Sequence, residues 1–126
     1  MSDLGIFSKA LEYGKRSLEI IKKQNDRVWV AASYTSIGNV LRNMERYEEA
    51  LENHNKALKI DKRLNDKDGL ATDYRYIGNV LMDMGRYEEA LESHNKALKI
   101  DKELNNRVGL ITILVSYFSI QASMKH

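Results

Sequence analysis

His54 and His94 are the residues of this chain whose chemistry most readily serves catalysis or metal binding, and they lie forty residues apart. Two imidazoles do not make a metal site without carboxylates or cysteines at ligand spacing. No serine, histidine and acid grouping recurs near them, and the sequence contains no glycine-rich phosphate loop. We therefore expect no catalytic residue, no metal and no cofactor. We interpret each histidine as a packed ring whose N–H is hydrogen bonded.

The spacing of the histidines reflects a repeat that organises the chain. Tyr74–Ile113 is a near copy of Tyr34–Asp73, with 28 of the 40 aligned pairs identical and no insertion needed. A fixed period of this length is typical of a solenoid, in which each unit buries its apolar face against its neighbours. The same period extends towards both ends. It predicts a half repeat at 1–26, full repeats at 27–66 and 67–106, and a half repeat at 107–126, all in a single domain.

Apolar spacing within the period predicts only helices, six in all, each antiparallel to its neighbours. Asp26 and Asp66 are expected to cap helix starts, and Asn65 suits a left-handed helix end. The absence of proline permits long, unbroken helices. The predicted helices cover about Leu4–Gln24, Val28–Asn43, Tyr47–Leu64, Lys67–Asp83, Tyr87–Leu104 and Val108–Met124.

The charge and the apolar content of the sequence limit the kinds of partner that we expect. The net charge is only +2, and the basic pairs Lys22-Lys23 and Lys62-Arg63 are interspersed with acids, so no nucleic-acid partner is expected. Val108–Met124 contains several polar residues and falls short of the roughly 20 apolar residues of a membrane span, so no membrane contact is expected. The chain has no cysteine and no signal-like N-terminus, which fits a cytoplasmic protein.

Gly38 and Gly78 lie in the middle of predicted helices, where glycine costs about 1 kcal/mol relative to alanine. A close helix crossing, at which only a hydrogen atom fits, compensates for this cost. Ala50 and Ala90 on the following helices are the expected partners.

These residues together resemble the tetratricopeptide repeat (TPR). The signature positions are occupied by Tyr34, Ile37, Gly38, Leu41, Tyr47, Ala50 and Ala57, and in the second copy by Tyr74, Ile77, Gly78, Leu81, Gly85, Tyr87, Ala90 and Ala97. The forty-residue unit is similar to the extended branch of the family, which includes the Leu-Gly-Asn-repeat adaptors. The resemblance implies an all-α, right-handed superhelical solenoid of helix pairs. It also implies a non-catalytic protein-interaction function.

In this family the concave wall is lined by the first helix of each pair and binds a peptide or a partner protein. Asn39 and Asn79 are the best candidates, because an amide can donate and accept hydrogen bonds at once. Alternatively, each asparagine satisfies a neighbouring backbone group. By position, the resemblance assigns this wall to Thr35, Ser36, Asn39, Arg42, Asn43, Arg75, Tyr76, Asn79, Met82 and Asp83, continued by Val115, Ser116 and Ser119.

The end helices predict self-association into a homo-oligomer. Phe118 stands where Gly38 and Gly78 are expected by the period, while Gly14 stands at the position of the histidines. We therefore hypothesise that the last helix of one chain packs on the first helix of another. A symmetric dimer through 108–120, a folded-back tail and a fragment of a longer array remain as alternatives. The residues assigned to self-association are Phe7, Ala10, Gly14, Leu110, Leu114, Tyr117 and Phe118.

Overall fold

A computed structural model describes residues 3–104 and 107–125 and folds them into α-helices joined by short turns. The all-α prediction is confirmed, and each predicted helix end lies within one residue of the observed one. The six helices of the described residues are α1 Asp3–Lys23, α2 Arg27–Asn43, α3 Tyr47–Leu64, α4 Lys67–Asp83, α5 Tyr87–Leu104 and α6 Arg107–Met124.

Asparagine and aspartate together end one helix and start the next, as predicted. Asn25 and Asn65 adopt left-handed backbone conformations with φ of 57° and 53°. The carboxylate of Asp26 accepts a hydrogen bond from the backbone N–H of Trp29 at 3.4 Å, and that of Asp66 accepts one from Gly69 at 3.0 Å. Each cap satisfies a backbone donor that has no partner within its own helix.

The turns inside the repeats also require a left-handed residue, and the two repeats fill that position differently. Gly85 has a φ of 76° in the turn between α4 and α5, whereas Glu45 has a φ of 60° in the turn between α2 and α3. Glycine adopts this conformation without strain, but a residue with a Cβ atom does not.

The chain divides into two compact units, Met1–Leu64 and Asn65–His126. In the first unit, α2 packs against both α1 and α3. The second unit places α5 against both α4 and α6. The main buried apolar side chains are Leu11, Leu18, Ile37 and Leu41 in the first unit and Leu70, Val80, Leu81, Ile113 and Ile120 in the second.

In the part of the chain that the structure describes, no helix combines the length and apolarity needed to cross a membrane.

Candidate functional site

Each repeat joins its two helices by packing a glycine onto a histidine. A Cβ atom built on Gly38 would lie 2.6 Å from His54 Nε2, and one built on Gly78 would lie 2.6 Å from His94 Nε2. No side chain fits at either glycine unless the imidazole shifts.

Ala50 and Ala90 were the expected partners of these glycines, but the nearest side chains are those of His54 and His94. Both alanines are fully buried, but the atoms nearest to a Cβ at either glycine all belong to the imidazole rings. The mid-helix glycines thus predicted the close helix crossing, but the histidine nearest to each glycine lies one helical turn after the predicted alanine.

The two histidines are neutral packing groups at physiological pH. Their exposed fractions are 0% for His54 and 1% for His94. Burial, and to a smaller extent the positive charge of the nearby Arg42 or Arg75, lowers the pKa of each imidazole to about 4. The ring nitrogens of His94 make no hydrogen bond within the described residues, in contrast to the expected N–H bond. A closed, neutral ring of this kind fills space between helices.

On α2, the predicted interaction residues form a mixed polar face at the start of the first full repeat. The Thr35 hydroxyl donates to the carbonyl oxygen of Ala31 at 3.2 Å, which ties it to its own helix. The other four differ in burial: Asn39 and Arg42 are half-buried, and Ser36 and Asn43 are exposed.

On α4, the equivalent face contains one residue that is engaged internally. Arg75 Nη1 donates to Asp101 Oδ2 at 2.7 Å, and Arg75 Nη2 donates to the Thr72 hydroxyl at 3.1 Å. Tyr76, Asn79 and Met82 are half-buried, and Asp83 is exposed.

The Arg75–Asp101 ion pair joins three helices. Asp101 of α5 is fully buried, and a Cβ atom built on Gly109 of α6 would lie 2.6 Å from Asp101 Oδ2 and 3.0 Å from Arg75 Nη1. Asp101 thus neutralises the Arg75 guanidinium within the second unit, so this charge is not available to an acidic ligand. An aspartate near the C-terminal end of a helix opposes the helix dipole, and this signal in the sequence could have indicated a buried partner.

Asn39 and Asn79 retain hydrogen-bonding capacity. In the described residues no hydrogen bond to either side-chain amide is found, whereas the Asn53 amide donates to the carbonyl oxygen of Glu49 at 2.9 Å. Each asparagine directly follows a packing glycine, Gly38 or Gly78, so its helix is held firmly at that point.

Lysines cover the tyrosines at the start of both repeats, a feature that sequence reasoning missed. Lys22 Nζ and Lys56 Nζ lie 5.4 and 5.5 Å from the centroid of the Tyr34 ring, and Lys96 Nζ lies 5.5 Å from that of Tyr74. Cation–π attraction at such distances contributes about 0.5–1 kcal/mol at exposed sites. The sequence contained a signal for this contact, because Tyr34 and Tyr74 lie forty residues apart and so do Lys56 and Lys96.

Apolar residues occupy two opposite faces of α6. Ile113 and Ile120 are fully buried on one side. The other side bears Ile111, Leu114, Val115 and Phe118, and Phe118 is 67% exposed. Of the predicted self-association residues on this helix, Leu110 and Tyr117 are half-buried, and Leu114 and Phe118 are exposed. Tyr117 and Phe118 pack edge to face, with centroids 6.3 Å apart.

A face of small residues is uncovered on α1. Ala10 and Ser17 are exposed and Gly14 is half-buried, although Ala50, His54 and Ala57 at the equivalent positions of α3 are fully buried. Exposed Ile6, Tyr13 and Ile20 lie along one edge of this face. The remaining predicted residue, Phe7, is half-buried.

Across residues 3–104 and 107–125, no three His, Cys, Asp or Glu side chains come together in a group that could hold a metal ion.

Comparisons with known proteins agree with this helix-pair architecture. The structure is similar to that of apo RapI (TM-score 0.87, 22% identity), covering 97% of this chain and 44% of RapI. It is also similar to a signal-transduction ATPase with a tetratricopeptide repeat sensor from Pyrococcus horikoshii (TM-score 0.83, 22% identity; 88% and 17% of the two chains). A Rap protein in complex with competence and sporulation factor matches as well (TM-score 0.81, 21% identity; 88% and 31%).

The chain thus spans less than half the length of each of these three proteins, and at such identities the likeness concerns the fold alone. A search of the curated proteins found no significant match. The family model described as tetratricopeptide repeat matches residues 3–63 and 29–103, which together cover the first full repeat and all but the last three residues of the second. This chain belongs to the tetratricopeptide repeat family.

Proposed function

We propose that this chain is a non-catalytic protein-interaction module that binds a peptide or an extended protein segment through the first helices of its repeats, α2 and α4. Family membership supports the proposal, because tetratricopeptide repeats generally serve as interaction modules. One structural neighbour is a Rap protein in complex with competence and sporulation factor, which is in keeping with a binding role for this fold.

The observation that carries the proposal is the pair of equivalent amides, Asn39 and Asn79. Each is half-buried, follows a glycine that is locked against a histidine, and has no hydrogen bond to another described residue. An amide in this state can donate to a carbonyl and accept from an N–H of an incoming backbone without regard to its side chains. The alternative, in which the amides satisfy neighbouring backbone groups, accounts less well for their unmade hydrogen bonds.

The remaining residues of the proposed surface supply specificity. Arg75 contributes indirectly, since its ion pair with Asp101 fixes α4 relative to α5. Side chains that contact the ligand vary between the repeats, as expected for a surface that the repeat pattern does not encode. The full proposed set is Thr35, Ser36, Asn39, Arg42 and Asn43 on α2, and Arg75, Tyr76, Asn79, Met82 and Asp83 on α4.

Selection from a displayed library of short peptides, followed by calorimetric titration of the selected peptides, tests the proposal. Asn39→Ala with Asn79→Ala should weaken binding by about tenfold to a hundredfold, because two amides each lose a hydrogen bond of about 1 kcal/mol. Asn55→Ala with Asn95→Ala is the matched control, since these exposed asparagines recur with the same period on α3 and α5. Equal affinities of the two double variants would refute the proposed surface.

A second candidate function is a self-assembling scaffold, in which copies of the chain associate through their end helices. The uncovered apolar faces of α1 and α6 favour it, because contiguous exposed apolar surface of this kind marks interaction sites.

A further inference from the structure

We propose that copies of this chain join head to tail, with α6 of one copy and α1 of the next forming the first and second helices of a shared repeat. This contact rests on the proposed scaffold function and would bring together two exposed faces, one on α6 and one on α1, whose side chains match in size.

The uncovered face of α6 corresponds to the face that carries the second helix in the complete repeats. Ala31 and Gly38 of α2 are buried, and α2 packs against α3. Forty residues after Ala71 and Gly78, their equivalents on α4, α6 carries Ile111 and Phe118, which are 64% and 67% exposed. This face of α6 is therefore apolar, and no helix among residues 3–104 and 107–125 covers it.

The uncovered face of α1 corresponds to the face that receives the first helix of a repeat. Ala10, Gly14 and Ser17 form a face of small residues at the positions that Ala50, His54 and Ala57 occupy, fully buried, on α3. Ile37 of α2 lies against Gly14 within the same chain, since a Cβ atom built on Gly14 would lie 3.1 Å from Ile37 Cγ1.

At the point where the two helices cross, the large and the small residue change places between the complete repeats and the proposed shared repeat. In both complete repeats a glycine on the first helix contacts a histidine on the second, and there is no space for a further side chain between them. In the shared repeat the first helix supplies Phe118 and the second supplies Gly14. One ring and one glycine are again paired at the crossing, so close packing is retained with the ring on the opposite helix.

A second pair of equivalent positions also places an exposed residue of α1 next to an exposed residue of α6. The Ser93 hydroxyl on α5 donates to the carbonyl oxygen of Tyr74 on α4 at 2.7 Å, so these two positions are adjacent in a helix pair. Their equivalents at the ends are Tyr13 on α1 and Leu114 on α6. Both are exposed in the single chain, at 62% and 43%, and both would be covered by the same contact.

The charges on the two helices permit this contact. From Gly109 to Met124, α6 has no charged residue. On α1, Glu12 and Arg16 pair with each other at 2.9 Å. Because the contact joins unlike surfaces, each added copy leaves one free α1 and one free α6, and assembly continues until a ring closes or a filament grows.

Mixing two blocked variants tests the head-to-tail contact. Phe118→Asp blocks α6 and Ala10→Asp blocks α1, and both sites are exposed, so the single chain should fold normally. Ser119→Asp and Ser8→Asp are matched controls that add the same charge at adjacent exposed positions. Solution mass is measured by light scattering over a wide concentration range, with circular dichroism confirming the helical fold of every variant.

The wild type and both controls should form species larger than a dimer. Each blocked variant should be monomeric, with association weakened by about a hundredfold or more. An equimolar mixture of the two should give a dimer and nothing larger, because only one intact α6 and one intact α1 remain. A monomeric wild type would overturn both the scaffold function and this inference. Association that survives Ala10→Asp, as in a symmetric α6–α6 dimer, would overturn the head-to-tail contact alone, and so would a mixture that stays monomeric.

Discussion

Acid should destabilise this protein through its two buried histidines. The folded pKa of His54 and His94 is about 4, against an ordinary value of 6.5. Between these values the unfolded chain binds a proton on each ring that the folded chain does not, so the free energy of unfolding falls as the pH falls. The loss begins near pH 6.5 and is complete near pH 4.

The size of the effect follows from the pKa difference. A full shift of this magnitude corresponds to roughly 3 kcal/mol per histidine, and roughly 2 kcal/mol of that is lost between about pH 7.5 and pH 5. The two rings together should therefore remove roughly 4 kcal/mol over that range, a large part of the stability of a small domain. His54 acts on the first unit and His94 on the second.

Urea denaturation at a series of pH values measures the effect, with His54→Phe plus His94→Phe as the reference protein. Phenylalanine places a flat ring against each glycine and does not titrate, and its larger ring adds a cost of about 1–3 kcal/mol per site that does not depend on pH. The unfolding free energy of the wild type minus that of the variant should fall by roughly 4 kcal/mol as the pH falls from about 7.5 to about 5. A difference that is constant with pH would refute the assignment of these rings as buried and neutral.

Two further predictions concern the turn and the ion pair. Glu45→Gly should raise the free energy of unfolding by up to about 1 kcal/mol, because glycine removes the strain of a left-handed backbone, and Gly85→Glu should lower it; thermal melts of both variants check this. Arg75→Met should destabilise the protein by about 3 kcal/mol, since it leaves the fully buried Asp101 without its charged partner. Arg75→Met with Asp101→Asn should cost less than Arg75→Met alone in chemical denaturation, and an equal or greater cost would contradict a buried ion pair.

The helices could be predicted from the sequence because their signals are local. Asp66 follows Asn65, so a left-handed helix end and an N-cap mark the boundary between the repeats, and both are observed. Apolar spacing and the forty-residue period then fix the helices between such boundaries.

Apolar spacing and the forty-residue period do not predict which residues of neighbouring helices are in contact. The glycines were assigned to Ala50 and Ala90, because spacing along a helix does not determine which turn of the next helix lies opposite. Likewise, the pairing of Arg75 with Asp101 spans 26 residues and depends on how α4 and α5 pack. Thr35 at the equivalent position of α2 gave no indication of it.

The two faces of α6 show a further limit of the sequence. The helix is apolar on nearly all sides, so periodicity cannot indicate which side is covered. The structure shows Ile113 and Ile120 buried and Phe118 exposed. The proposed contact between α6 and α1 depends on this distinction.

The most direct test of a binding surface on α2 and α4 is a nuclear magnetic resonance titration of the isotope-labelled chain with a library-selected peptide. The side-chain amide signals of Asn39 and Asn79 should shift on binding, while those of Asn55 and Asn95 on α3 and α5 should stay in place. Shifts confined to Asn55 and Asn95, with Asn39 and Asn79 unmoved, would contradict a binding surface on α2 and α4.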